Sequence, residues 1–240
     1  MKNFDIKKQT ENCIAWIQDY FDNKSGNAKG VIVGISGGKD SAVVVGLLCK
    51  AIGKEKVFGV LIPNGEQKDI EDSKKICKCL GIRYLIVNIE NVYEEIIDSI
   101  YIELTDQSKI NIPARIRMTI LYAIGSTMNY RICGTGNASE AYVGYCTKYG
   151  DSACDFNPIA NFITDEVIAI GDYLGLPYDI VHKTPCDGLC GKSDEDNLGF
   201  TYAELNEYIN TGKCINENIK TKIDNMHIYS RHKFDYIPTY

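Results

Sequence analysis

The sequence predicts an α/β fold: a doubly wound parallel sheet flanked by helices, with helical additions toward the C-terminus. Three observations carry that expectation. Residues 31–35 form a short apolar run rich in β-branched side chains, as expected of a strand buried on both faces. A glycine-rich turn, Ser36-Gly37-Gly38-Lys39-Asp40-Ser41, follows at once and opens a helix-period segment. Apolar runs and helix-period segments then alternate as far as Cys133, which implies parallel strands joined by right-handed crossovers.

Each element has its own signal. Ala42, Val43, Leu47, Leu48 and Ala51 keep helical spacing after the turn, and Gly53 stops them. Residues 57–62 read as a second buried strand, ended by Pro63-Asn64-Gly65. Residues 67–80 form a charged amphipathic helix with Ile70, Ile76 and Leu80 inward, closed by Gly81. Residues 84–89 are a third strand, 92–104 and 114–128 two helices, and 130–133 a fourth strand. Past Asn161 the pattern is helical at 164–174, 202–210 and 216–226, with a polar link over 187–199. Ile116, Ile120, Ala123 and Ile124 share one side of the 114–128 helix, which suits either the core or a dimer contact. The 240 residues are expected to form one domain, with an N-terminal helix in 1–29, the α/β core in 30–160 and a helical part in 161–240.

Composition excludes several classes of function. The net charge of −6 gives no general attraction for nucleic acid or an anionic membrane. No apolar run approaches the roughly 20 residues a membrane span needs. The first residues lack the apolar core of a signal peptide, so a cytoplasmic protein is expected. Ten cysteines are present without a single C-x-x-C pair, which points to free thiols packed as small hydrophobes.

The turn after the first strand fits neither familiar phosphate template. Gly-x-Gly-x-x-Gly is absent, and a Walker loop would need a glycine where Val33 stands and Ser or Thr where Asp40 stands. The physics of anion binding survives. Two adjacent glycines let backbone N–H groups approach an anion, and a helix N-terminus adds partial positive charge. Ser36 and Ser41 add hydroxyls, Lys39 a possible counter-charge, and Asp40 a ligand for a divalent cation against phosphate. On a doubly wound sheet this loop belongs at the carboxyl ends of the strands, near the switch in strand order. Gly134-Thr135-Gly136-Asn137, after the fourth strand, could lie beside it.

SGGKDS matches the S-G-G-x-D-S pattern of the PP-loop ATP pyrophosphatases and resembles their adenine nucleotide alpha-hydrolase-like fold. Further segments narrow the likeness. They are Asn111 to Met118, Gly134 to Glu140, Gly144 to Asp151, Asp155 to Ile159, Ser193-Asp194-Glu195 and Arg231-His232-Lys233. In this order they resemble ammonia-dependent NAD synthetase from about Gly30 to the C-terminus. The resemblance implies a ligase of NAD biosynthesis, homodimeric, that adenylates the nicotinate carboxylate of deamido-NAD with ATP and Mg²⁺. Ammonia would then displace AMP. It implies that Gly34, Ile35, Ser36, Gly37, Gly38, Lys39, Asp40, Ser41 and Thr135 bind ATP, while Asp40 and Glu140 hold Mg²⁺. Arg115, Lys148, Asp155, His232 and Lys233 would bind deamido-NAD, with Asp40 and Lys148 catalytic.

Two departures touch the ATP contacts. Thr164 stands in a segment where the family usually carries Lys, and Cys186 stands where it usually has Ser or Thr. Lys183 is a candidate to compensate. Only about 30 residues precede the first strand, too few for a glutaminase domain, so free ammonia is the expected nitrogen source. The alternatives are another PP-loop adenylating enzyme, or a nucleotide-sensing module without turnover.

Overall fold

The computed structural model describes residues 4–67, 69–184 and 193–240. Strands β1 (Gly30–Gly34), β2 (Val57–Leu61), β3 (Arg83–Ile86) and β4 (Tyr130–Cys133) form a parallel sheet of order β3-β2-β1-β4. Val33 lies opposite Gly59 on one side and Cys133 on the other. The chain winds outward from β1 to β3, then returns to lay β4 on the far side of β1. The gap between β1 and β4 is therefore the switch point, where ligands bind on such sheets.

Alternation along β1 feeds two cores, as the period of a strand requires. Val31 and Val33 pack with α1 (Ile6–Asn23), α2 (Lys39–Ile52), α3 (Ile70–Leu80) and α7 (Thr164–Tyr173). Ile32 turns to the opposite face and packs with α4 (Glu90–Ser99) and α5 (Asp106–Met128). A third cluster, built on Val143, Leu198, Tyr202, Leu205 and Ile223, joins four short helices. These are α6 (Ala138–Val143), α9 (Asp194–Leu198), α10 (Tyr202–Thr211) and α11 (Glu217–Ser230). The one-turn α8 (Tyr178–Val181) follows α7.

The doubly wound expectation holds, with shifts at element ends. The largest concerns α5, which begins at Asp106 and runs through Pro113. Proline removes a backbone donor and costs a helix interior about 3 kcal/mol, which is why the sequence suggests a start after it. Thr105 caps the real start, its Oγ1 accepting from Ser108 N at 3.2 Å. Ile112, Ile116, Ile120 and Ile124 then bind the helix to the second core. This settles part of the stripe: those isoleucines face the sheet, while Ala123 is exposed. Within the polar link, 194–198 forms α9, because Ser193 and Asp196 make a capping box.

Among the described residues, eight cysteines are free thiols, and Cys13, Cys77 and Cys133 are buried. Burial pushes the Cys13 and Cys77 thiols up to about 11, so they pack as apolar groups. No helix among the described residues is long and apolar enough to cross a membrane.

Candidate active site at the switch point

The loop from Gly34 to Ser41 lies at the carboxyl end of β1 and is held from below. Gly37 adopts φ +89°, and a Cβ there would stand 2.7 Å from the Asp69 carbonyl oxygen. Only glycine fits both the backbone angle and that approach. Ser73 of α3 is buried and donates to the Ile35 carbonyl at 3.1 Å, tying the loop to its neighbour. Gly38 is the N-cap of α2 and supplies no side-chain cap. The first N–H groups of α2 are thereby left for an anion, with the helix dipole behind them. Ser36 and Ser41 hydroxyls lie 3.3 Å apart beside them, and Ser41 also donates to the Gly38 carbonyl at 3.0 Å.

The loop after β4 meets this one, through a residue for which no separate role is readable in the sequence. Asn137 is fully buried, and its Nδ2 donates to Asp40 Oδ1 at 3.0 Å. Its Oδ1 caps α6 by accepting from Glu140 N at 3.0 Å, and Glu140 Oε2 accepts from Asn137 N at 3.1 Å. The Asn-x-x-Glu spacing is visible in the sequence as a helix start. Its second duty, drawing Asp40 and Glu140 toward one point, depends on β4 lying beside β1. Thr135 lies in the same loop and is partly exposed.

Two carboxylates facing a phosphate-binding loop suit Mg²⁺, which takes one or two carboxylates and fills its shell with phosphate oxygens and water. Each oxygen engaged in a hydrogen bond here keeps a second lone pair. Burial, and then the charge of Asp40, push the Glu140 carboxyl well above the usual range, against the pull of Lys39 and of the Asn137 N–H. The consequence for stability has a definite sign. Below the ordinary carboxylate pKa both folded and unfolded states hold the proton; above it only the folded state does. The metal-free protein is therefore expected to lose stability as pH rises from that value toward the raised one. Glu140→Gln should flatten this slope in melts taken across the range, and an unchanged slope would refute the assignment.

At the other end of α6 a second polar cluster forms. Lys148 Nζ donates to the His232 carbonyl at 2.5 Å, and Arg115 Nε to the Lys148 carbonyl at 3.3 Å. Lys233 Nζ donates to the carbonyls of Gly144 and Cys146, both at 2.7 Å. Asp151 accepts from Thr147 N at 2.8 Å. Four of the five residues suggested for the acceptor thus come together. Glu140, in the first turn of α6, lies about 6 Å of helix from Gly144, where this cluster begins.

Asp155 lies elsewhere along α5. It accepts from Ile132 N at 2.8 Å and from the Tyr122 hydroxyl at 3.2 Å. Tyr122 is two turns, roughly 10 Å, beyond Arg115 on α5. Thr164 is buried at the start of α7; its N–H donates to Ser139 Oγ at 3.0 Å, and its own hydroxyl has no hydrogen-bond partner among the described residues. Lys183 is engaged by Asp69 and Asp72. Cys186 lies outside the described residues.

Along most of its length the chain is similar to known proteins of one family. The NAD synthase family model matches residues 9–238. The chain is 42% identical over 210 residues to an NH(3)-dependent NAD(+) synthetase of Thermococcus sibiricus, covering 87% of this chain and 82% of that one. The enzyme of the same description from Pyrococcus furiosus is 40% identical, with 87% and 79% covered. Among solved structures, an NMN synthetase from Francisella tularensis superposes with a TM-score of 0.92 at 33% identity, covering 99% of both chains. An NH3-dependent NAD synthetase from Campylobacter jejuni gives 0.81 at 30% identity over 99% of both chains.

Proposed function

The chain belongs to the NAD synthase family and is a ligase, and from that premise we propose how its own residues amidate deamido-NAD with ATP and ammonia. The family match across residues 9–238 carries this reading; the meeting of the loops after β1 and β4 supports its details. The nicotinate carboxylate attacks the α-phosphorus of ATP, and pyrophosphate leaves into the Ser36–Ser41 loop and the open N-terminus of α2. Ammonia then adds to the acyl carbon and AMP departs, giving NAD. Asp40 and Glu140 would hold Mg²⁺, which supplies charge neutralisation to the phosphates. Arg115, Lys148 and Lys233 hold the anionic acceptor at the far end of α6, so that the two substrates meet with little left to orient. The His232 carbonyl keeps Lys148 directed. We take residues 1–240 as one synthetase domain, acting as a cytoplasmic homodimer.

A second reading concerns only the acceptor. The higher TM-score of the Francisella NMN synthetase favours nicotinate mononucleotide, whose carboxylate would undergo the same two steps to give NMN. One assay addresses both. Purified protein is given Mg-ATP, ammonium and either deamido-NAD or nicotinate mononucleotide, and NAD, NMN and AMP are measured. Preferred NAD formation supports the main reading, preferred NMN formation replaces it with the second, and neither product where ATP binds would sink both. Glutamine in place of ammonium is expected to give no product.

A further inference from the structure

We infer that Lys39 is an internal cation that holds the metal-binding carboxylates in register, and that it does not serve as a ligand of the ATP phosphates. The inference rests on the assignment of Asp40 and Glu140 to Mg²⁺. Lysine within a phosphate-binding loop ordinarily points at phosphate, and the sequence suggests as much. The side chain does otherwise. It is only 4% exposed, and its Nζ donates to Asp40 Oδ2 at 2.8 Å. Its ammonium lies 5.8 Å from the centre of the Tyr202 ring, on the side of the site formed by α10. Glu140 and Asp194 act on it as further negative charges.

Asp194 is itself buried, with its oxygens 3.4 Å from the Tyr145 and Tyr202 hydroxyls. Lys39 thus meets groups from α2 and α10, and the charges carried by α6 and α9 act on it. A buried ammonium placed this way offsets carboxylate repulsion before the metal arrives. It also occupies one side of Asp40, while Asn137 fixes the other oxygen. Position 39 is the variable one in S-G-G-x-D-S, so this device belongs to the present chain and not to the loop pattern.

Lys39→Met keeps an unbranched side chain, one atom shorter, and removes the charge. In metal-free buffer it is expected to lower Tm by on the order of 10 °C. Adding Glu140→Gln should recover part of that loss, a coupling that independent residues do not show. Inorganic pyrophosphate, titrated in EDTA, should bind the Lys39→Met protein within about threefold of wild type. The Mg²⁺ concentration giving half-maximal turnover should rise severalfold, because without the ammonium Asp40 and Glu140 repel one another and Glu140 holds its proton more firmly; a purely structural role would leave it unchanged. Additive stabilities together with pyrophosphate binding weakened tenfold or more would overturn the inference and make Lys39 a phosphate ligand.

Wild-type protein provides a test if Lys39→Met fails to fold. Acetylation with an N-hydroxysuccinimide ester and peptide mapping should find Lys39 unmodified, with or without pyrophosphate, while Lys24 reacts. Ready labelling of Lys39 that pyrophosphate suppresses would refute the inference. Stability, pyrophosphate binding and labelling need no turnover, so they are independent of whether the synthetase assay succeeds.

Discussion

Asp40→Asn is expected to lower the rate of AMP and NAD formation by about 10³-fold, roughly 4 kcal/mol of transition-state stabilisation. The size follows from the position of the carboxylate. Asp40 is in the first turn of α2, directly after the glycines, and shares the switch point with Glu140 through Asn137. Asparagine preserves the shape and can still accept the bond from Asn137, but it removes the charge that the proposed mechanism assigns to attracting Mg²⁺. ATP–pyrophosphate exchange isolates the adenylation step, and a thermal melt controls for folding. A variant that exchanges pyrophosphate at the wild-type rate would show that Asp40 does not hold the metal.

Gly144→Ala is expected to be among the most destabilising single-methyl changes in the protein. Gly144 ends α6 with φ +65°, and a Cβ there would stand 2.0 Å from Ser230 Cβ and 2.5 Å from Ser230 Oγ. The left-handed backbone costs alanine about 1–2 kcal/mol. Forcing α11 away adds about 1–3 kcal/mol of overpacking. The sum corresponds to a fall in Tm on the order of 10 °C for a chain of this size. The same contact supports the site, because the Gly144 carbonyl accepts from Lys233 and α6 carries Glu140 at its other end. Combining Gly144→Ala with Ser230→Gly should restore part of the stability, since it removes the atom that clashes. A double variant no more stable than Gly144→Ala alone would place the cost in the backbone angle only.

Both residues illustrate how far the sequence can be read. Asp40 was legible because its neighbours announce it: an apolar strand, a glycine pair and a helix start lie within a dozen residues. Strand β4 was legible to the residue, since Tyr130–Cys133 is apolar at its inner end and bounded by Asn129 and Gly134. Gly144 reads as a glycine after a helix, but nothing local shows that Ser230, far along the chain, closes upon it. Helix α5 was misread at its start for a related reason. Pro113 is a local stop signal, and the isoleucines that override it draw their strength from a sheet face made of other segments.

The sequence by itself determined the order of strands and helices along the chain, the glycine-rich turn after the first strand and the set of polar residues available to the chemistry. These depend on periodicity and backbone permissiveness, which act over a few residues at a time. Only the tertiary structure decided which of those residues meet. Asn137 joins Asp40 to Glu140 because β4 returns beside β1, and Asp155 is separated from Lys148 by two turns of α5. Lys39 turns to Asp40 Oδ2, under the charges of Glu140 and Asp194, which other helices supply. Charge–charge energy depends on distance in space, and spacing along the chain does not carry that distance.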